Sequence, residues 1–481
     1  MLLRNARLSE SNGDPVSVRI VDGVIAEIGD GSATNEETID LDGRWVLPGL
    51  WDNHVHFSQW ALHSRRLDLS TVTSARDAAA LVASARMDAS HRSEPLVGGG
   101  FRDGLWSDAP SVELLDAAAG DVPVVLLSGD LHSVWLNSAA LFAHGFAGHP
   151  TGLLREDDAF EVTRRIGTVP TGVLDGWAMD AAATAAARGV VGIVDLEMGW
   201  NLGVWQRRVD SGHDSLRVQF GIYPEHLELA IAEGLHSGQA IGDLLTVGGF
   251  KVLTDGSLNT RTAYCFDEYP GLESQENSRG MLTVPPEELV PLMRRAAGAG
   301  LEPYVHAIGD HANTLVLDAF ETVGCRGRLE HAQLLDDRDF ARFAGLGVVV
   351  SVQPDHAIDD RDVADHYWAG RTGRAFAFRS LLDAGAELAF GSDAPVSPLD
   401  PWVTMAAAVG RTRDDREPWH PEQRVTAGEA IAASTRTRVA VGEPADLVVT
   451  ELDSLASTHE KLRTMPVAAT LLAGRFTHNA L

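Results

Sequence analysis

Two histidines stand one residue apart at the end of an apolar run. The stretch LPGLWDNHVHFSQW, residues 47–60, contains His54 and His56. Alternate side chains of a strand point to one face, so the two imidazoles point the same way. A buried imidazole needs a hydrogen-bond partner, which makes the pair a poor choice for an apolar core and a good choice for a transition metal. The pair alone fits either a metal site or two surface histidines.

Further polar residues interrupt or close later apolar runs. They are Lys251 in GGFKVLTDG, His306 in PYVHAIGD, His331 in RLEHAQ and Asp393 in LAFGSDAP. Each one alone has an ordinary structural explanation, because an aspartate can cap a following helix and a lysine can extend along its stem to the surface. Together with the histidine pair they make six such residues, and separate explanations for all six are hard to sustain. The pattern predicts one shared site.

The chemistry of these side chains is consistent. Imidazole and carboxylate ligands suit zinc or a similar divalent ion. A buried lysine beside cations loses its proton, so Lys251 can take up carbon dioxide and form a carbamate that bridges two ions. Two ions lower the pKa of a bridging water and polarise a substrate carbonyl. Asp393 would bind one ion, act as general base towards that water and pass the proton to a leaving nitrogen.

The middle of the chain repeats a helical pattern followed by an apolar strand. The eight strand segments are LWDNHVH, VVGIVDLE, LRVQFGIY, VGGFKVLTDG, LEPYVHAIGD, RGRLEHAQLL, VVVSVQPDH and ELAFGSDAP. Alternation of helices with doubly buried strands predicts a parallel sheet and, with eight strands, a (β/α)8 barrel. A doubly wound open sheet is the alternative, but no strand is followed by a dinucleotide-type glycine fingerprint. In a barrel the polar residues would meet at the C-terminal ends of the strands.

The flanking and excess segments predict two further domains. Short alternating strands at both ends predict a small β-sandwich domain composed of residues 1–49 and 402–481. The barrel would then comprise residues 50–68 and 181–401. Residues 69–180 have their own helices and strand, and we expect an α/β domain inserted after the first barrel strand, over the barrel mouth.

Composition narrows the class of protein. The chain has 481 residues, with 39 Lys and Arg against 68 Asp and Glu, and a formal net charge of −29. Such an acidic surface repels phosphate backbones and anionic lipid, so we expect no nucleic-acid or membrane partner. Two separated cysteines, Cys265 and Cys325, exclude a disulfide framework. With no apolar stretch near the ~20 residues of a membrane helix and no signal-like start, a cytoplasmic protein is expected.

Longer strings of the sequence resemble those of a known family. They are PGLWDNHVH, GDLHSVWLNSAAL, KVLTDGSLNTRTA, HAIGDHA, RLEHAQ, SVQPDH and GSDAPVSPLDPW. They are similar to the amidohydrolase superfamily, and within it to the subgroup that includes N-substituted formamide deformylases. The resemblance implies one metal at His54, His56 and Asp393, a second metal at His306 and His331, and a carboxylated Lys251 between them. It leaves open whether one or both sites are filled.

The resemblance also suggests residues that bind the substrate. His132, in the inserted domain, would reach the substrate, although an ordinary loop histidine is the alternative. Arg261 and His356 are further candidates. Trp60 is one of several tryptophans near the predicted mouth, which fit a substrate with an apolar or aromatic group or, equally, contacts that seat the inserted domain.

The leading hypothesis is therefore metal-dependent hydrolysis of a C–N bond in a small amide or N-substituted formamide. A deaminase on the same fold is an alternative, but the family's deaminases resemble a His-x-x-Glu pattern on the fifth strand and lack the lysine, whereas His306 is followed by Ala-Ile-Gly. Ester or lactone hydrolysis uses the same chemistry and is not separable. A non-catalytic binding module is a further alternative, although all six ligand residues are present. A homodimer and a monomer both fit the sequence.

Overall fold

The computed structural model contains two compact units. The first unit comprises Met1–Phe57 and Ala182–Leu481, and the second comprises Ser58–Ala181. The structure describes residues 1–8, 14–30, 36–88, 95–101, 103, 106–128, 133–155, 157–167 and 169–481.

The described residues form twenty-two strands and seventeen helices. The strands are β1 (Leu2–Leu8), β2 (Val16–Val21), β3 (Val24–Gly29), β4 (Thr38–Asp40), β5 (Trp45–Pro48), β6 (Leu50–Val55), β7 (Leu67–Asp68), β8 (Leu96–Phe101), β9 (Val124–Ser128), β10 (Ser133–Leu136), β11 (Leu153–Arg155), β12 (Val190–Asp195), β13 (Arg217–Ile222), β14 (Ala240–Ile241), β15 (Leu245–Leu253), β16 (Pro303–Ala307), β17 (Gly327–His331), β18 (Val348–Val352), β19 (Leu388–Phe390), β20 (Leu447–Thr450), β21 (Val467–Leu472) and β22 (Arg475–Asn479). The helices are α1 (Phe57–His63), α2 (Ala75–Asp88), α3 (Val112–Ala119), α4 (Ser138–His144), α5 (Asp157–Gly167), α6 (Thr171–Ala186), α7 (Asn201–Asp210), α8 (Leu227–Ala232), α9 (Pro286–Gly298), α10 (Asp310–Val323), α11 (Phe340–Leu346), α12 (His356–Asp359), α13 (Arg361–Tyr367), α14 (Phe378–Asp383), α15 (Pro401–Gly410), α16 (Ala427–Ala433) and α17 (His459–Arg463). Among these helices, none has the combination of length and apolar character that crossing a bilayer requires.

Eight parallel strands form the barrel of the first unit. Their order is β6, β12, β13, β15, β16, β17, β18 and β19, each paired with the next along the chain. A parallel bridge between Val55, at the end of β6, and Ala394, just beyond β19, brings the last strand back to the first. These are the eight segments that the sequence predicted, so the barrel is confirmed and the open-sheet alternative is wrong.

Strands from both ends of the chain share the other sheet of this unit. Its order is β22, β21, β20, β5, β1, β2 and β3, and β4 pairs with β1. The N- and C-terminal parts join where β5 pairs antiparallel with β20, from Trp45 opposite Thr450 to Pro48 opposite Leu447. The predicted β-domain built from both termini is therefore present. Its strands resume only at Leu447, because the chain first forms α15 and α16 after the barrel.

The second unit contains a five-stranded sheet in the order β11, β10, β9, β8 and β7. Helices α2 and α3 pack on it through a core that includes Val82 and Leu115, together with Leu126 of β9. Because β7–β9 are parallel and β9–β11 antiparallel, the sheet is mixed. This is the α/β insertion expected after the first barrel strand.

Candidate metal-dependent active site

The first predicted ligand set meets at the C-terminal end of the barrel. Asp393 Oδ1 lies 3.5 Å from His54 Nε2 and 3.4 Å from His56 Nε2. One ligand atom of each of the three residues lies within 4.8 Å of the other two. Two imidazoles and one carboxylate are a donor set typical of zinc sites that keep an open position.

Backbone contacts between the first and last barrel strands position this set. Asp393 N donates to His54 O at 2.7 Å, and His56 N donates to Ala394 O at 2.8 Å. A Cβ on Gly391 would lie 2.6 Å from His54 N, so only glycine lets the two segments approach this closely. The Gly-Ser-Asp string therefore brings Asp393 against the histidine pair.

The second predicted set lies directly beside the first. The ring centroids of His306 and His331 are 4.5 Å apart, and those of His331 and His54 are 4.9 Å apart. His306 Nε2 lies 3.4 Å from Asp255 Oδ1 and 3.4 Å from Gly256 O. The structure thus places His331 next to both His306 and His54 of the first set.

Lys251 extends from β15 into the same buried region. Its side chain is 1% exposed, and among the described residues its Nζ has no hydrogen-bond partner. Burial lowers the pKa of Lys251 to about 8, although the nearby charges of Glu330 and Asp393 act in the opposite direction. A lysine with this pKa is partly neutral near pH 7–8, which is the form that reacts with carbon dioxide.

Glu330 is a site residue that the sequence reasoning missed. It is completely buried, and its Oε2 accepts a hydrogen bond from His54 Nδ1 at 2.7 Å. Burial raises the pKa of Glu330, but Arg328, whose Nε is 3.1 Å from Oε1, and His54 together hold it well below its usual range. The carboxylate therefore keeps the proton of His54 on Nδ1 and leaves Nε2 facing Asp393.

The only signal for Glu330 in the sequence was a carboxylate inside the apolar run RGRLEHAQLL. Strand alternation would place Glu330 and His331 on opposite faces. In the structure His331 has φ +77°, outside the extended region, which lets the side chains of both residues reach the site.

The electrostatics of the first set match the requirements of ligation. Burial lowers the pKa of His54 to about 4, so its imidazole is neutral at pH 7. Burial raises the pKa of Asp393, but His54 and His56 outweigh it and hold that pKa well below its usual range. Metal ligands must be neutral imidazoles and ionised carboxylates, so both residues are in the required state.

Several buried nitrogens around the centre also lack hydrogen-bond partners among the described residues. They are His56 Nδ1, Lys251 Nζ, His331 Nδ1 and His356 Nε2. Leaving a buried polar atom unpaired costs free energy, and such atoms in a folded protein require an explanation such as a bound ion. The donor set and its unpaired atoms fit a divalent metal centre.

The predicted substrate residues have different outcomes. His132 lies outside the described residues. Trp60 belongs to α1 in the second unit, where its ring stacks on His63 with centroids 6.3 Å apart. Arg261, on the loop after β15, has its guanidinium 5.5 Å from the centre of the Tyr367 ring. His356 is the one that the structure brings to the metal ligands, in a group with His331 and Asp393.

A parallel eight-stranded barrel with histidines and an aspartate at its C-terminal end defines a class of metal-dependent hydrolases. The family model described as "Amidohydrolase family" matches residues 37–478. The chain belongs to this family, which confirms the prediction made from its motifs.

Relatives and solved structures agree with this assignment. Protein LONG AFTER FAR-RED 3 of Arabidopsis thaliana is 30% identical over 85% of this chain and 75% of its own length. The N-substituted formamide deformylase of Arthrobacter pascens is 25% identical over 94% of this chain and 92% of its own. An uncharacterized metal-dependent hydrolase from Pyrococcus horikoshii is 25% identical, with a TM-score of 0.79, and covers 95% of this chain and 98% of its own. The protein is therefore a metal-dependent hydrolase.

Proposed function

We propose that this protein hydrolyses the C–N bond of a small amide, and specifically of an N-substituted formamide. The observation that carries the proposal is the cluster of His54, His56 and Asp393 beside the buried Lys251. The likeness to an N-substituted formamide deformylase over nearly the whole chain supports the choice of bond.

In this proposal His54, His56 and Asp393 would hold one zinc ion, His306 and His331 would contribute ligands to a second, and a carboxylated Lys251 would supply oxygen ligands to the centre. A divalent ion at this position lowers the pKa of water and polarises the carbonyl of the substrate. The side chains of the protein orient the ligands and transfer the proton. Glu330 orients His54, and the contacts with His54 and His56 keep Asp393 ionised.

Asp393 moves the proton. Its Oδ1 faces the two imidazoles, so Oδ2 is the oxygen left to accept a proton from the attacking water. The oxygen of that water then adds to the carbonyl carbon of the substrate. The proton passes from Asp393 Oδ2 to the amide nitrogen as the C–N bond breaks. The products of an N-substituted formamide are formic acid and a primary amine, which at neutral pH become formate and an alkylammonium ion, so all atoms are conserved.

Two exposed apolar side chains at the mouth of the barrel support a substrate with an apolar substituent. Met198 follows β12 and is 60% exposed, and Val396 follows β19 and is 65% exposed. These two strands are the neighbours of β6, which bears the histidine pair. Exposed apolar side chains near a polar site are suited to contact an apolar group of a ligand.

A substrate panel tests the proposal. Zinc-loaded enzyme is offered N-benzylformamide, N-butylformamide, formamide, an aryl ester, a lactone and an aminopyrimidine, and formate, acid and ammonia are measured. We expect the N-substituted formamides to be cleaved fastest, and Asp393→Asn to abolish the reaction. Preferred cleavage of the ester or lactone, or release of ammonia from the aminopyrimidine, would replace the proposal with one of the alternatives. No turnover of any compound by metal-loaded protein would favour a binding module.

Fast cleavage of unsubstituted formamide would contradict the apolar-substituent part alone. Met198→Asp is the matched variant, because it places a charge at the mouth without altering a ligand. The variant should lower the rate of N-benzylformamide cleavage more than the rate of formamide cleavage.

A further inference from the structure

His356 lies at the metal centre although no strand carries it. It is the first residue of α12, four residues beyond the end of β18, and is 5% exposed. Its ring is nearly parallel to that of His331, with an interplanar angle of 12° and centroids 6.4 Å apart. One ligand atom each of His331, His356 and Asp393 lies within 4.8 Å of the other two. This is the spacing of side chains that can share one ion.

The hydrogen bonding of His356 leaves one nitrogen available. Among the described residues His356 Nε2 is buried and unpartnered, while Nδ1 lies 3.5 Å from Gln333 Nε2. Gln333 Oε1 is also buried and has no partner among the described residues, and a half-turn of the amide about its terminal bond exchanges the positions of its oxygen and nitrogen. With the Gln333 amide turned over, its oxygen accepts from His356 Nδ1–H. His356 Nε2 then presents a lone pair to the centre, as a neutral metal ligand does.

His306, the expected partner of His331, has contacts on its other side. Its Nε2 faces Asp255 Oδ1 and Gly256 O on the loop after β15. Only its Nδ1 is therefore free to bind an ion. With one nitrogen each from His306 and His331 and an oxygen of the carboxylated Lys251, a four-coordinate second ion has room for one further protein donor.

We propose that His356 is a further ligand of the second ion, which it would bind through Nε2 on the same side as His331. This inference rests on the metal centre of the proposed function and assigns His356 to ligation instead of the substrate contact that the sequence suggested. It adds a third imidazole to the two, from His306 and His331, that the proposed function assigns to the second ion.

Metal content tests the assignment independently of activity. Wild-type protein, His356→Ala, His356→Asn and the control His213→Ala are loaded with zinc, dialysed against a weak chelator and analysed for metal per chain. His213 is a matched control because it is another buried histidine, 4% exposed, whose Nε2 contacts Leu216 O at 3.2 Å and not the centre. Wild type and control should retain about two ions and both His356 variants about one, as expected for a two-metal site that loses one ion.

The same variants loaded with cobalt(II) supply a spectroscopic readout, because loss of an imidazole ligand changes the visible absorption of the bound cobalt. Far-UV circular dichroism establishes that each variant is folded, and two different replacements guard against one that does not fold. Two ions retained by either folded variant, or a wild type that holds a single ion, would overturn the assignment. If wild type holds two ions but cleaves no amide, the proposed function fails while the loss of one ion in the His356 variants still supports the ligand.

Discussion

The two ends of the barrel differ in how their polar groups are satisfied. The C-terminal end gathers imidazoles, a lysine and carboxylates with several unpaired buried atoms. The N-terminal end borders a cavity of about 1010 Å³ lined by residues such as Glu302, Arg328 and Arg436. There the polar groups pair with one another: Arg436 donates to Asn53 Oδ1 and to Gln219 Oε1, both at 2.9 Å.

The large cavity and the cluster of reactive side chains therefore lie at opposite ends of the barrel. A cavity of this size is large enough for a small molecule, yet polar wall groups such as those of Arg436, Asn53 and Gln219 already have partners. The buried nitrogens at the C-terminal end have no hydrogen-bond partners among the described residues, so a bound ligand would satisfy them. Unsatisfied buried atoms therefore locate the site of this protein better than empty space does.

The largest expected effect comes from Asp393, which belongs to both groups of side chains that could hold an ion. Asp393→Asn removes a charged ligand and the proton acceptor, and we expect kcat/KM to fall by about 10⁴-fold, the upper range for general base catalysis. Metal analysis of the same variant should show less than the wild-type content. Retention of full metal with wild-type kcat/KM would remove the C-terminal end of the barrel from the reaction.

A smaller effect is expected from Glu330, which touches a ligand and not the ion. Glu330→Gln keeps the size of the side chain but loses the charge that holds the proton of His54 on Nδ1. Loss of such an outer partner lowers metal affinity by about 10- to 100-fold. Competition with a chromophoric chelator measures this directly. Unchanged affinity would mean that His54 is held by packing alone.

The pH dependence of metal retention distinguishes the two histidines of the first set. Burial lowers the pKa of His56, but the contact of its Nε2 with Asp393 outweighs burial, so the pKa of His56 is raised above 6.5 whereas that of His54 falls to about 4. A protonated imidazole cannot bind metal. As pH falls, His56 should therefore be the first of the two imidazoles to take up a proton and stop binding the ion they share. The affinity for that ion should then fall about 10-fold per pH unit below the pKa of His56.

Equilibrium dialysis between pH 8 and pH 5 measures this profile. His56→Gln is the matched variant, because it removes the group that titrates first while His54 remains. It should bind zinc more weakly at pH 8 and show a flatter dependence down to pH 5. A profile that has the same slope in the variant would assign the titration to another group.

The sequence predicted more about strands than about side-chain partners. The eight apolar segments were enough to predict the barrel, and their polar ends were enough to predict which histidines would lie near one another, because both follow from local periodicity. Glu330 could not be predicted, since its partner His54 is 276 positions away and the turn at His331 breaks the alternation. The place of His356 depends in the same way on how α12 begins after β18, which no local pattern reveals.

The N-terminal end of the barrel provides the smallest expected effect and the sharpest test of the comparison. Arg436→Met removes a guanidinium that lies 3.8 Å from the centre of the Trp51 ring and bonds Asn53 and Gln219. We expect a loss of about 1 kcal/mol in the free energy of unfolding, measured in urea, because one cation–π contact and partly exposed hydrogen bonds are removed. Metal content and kcat/KM should stay within about two-fold of wild type, which is a change of less than about 0.5 kcal/mol. Arg436 bonds Asn53 and Asn53 neighbours His54, so a loss of metal as large as that of Glu330→Gln would show that the two ends are coupled along β6 and that the cavity end also shapes the site.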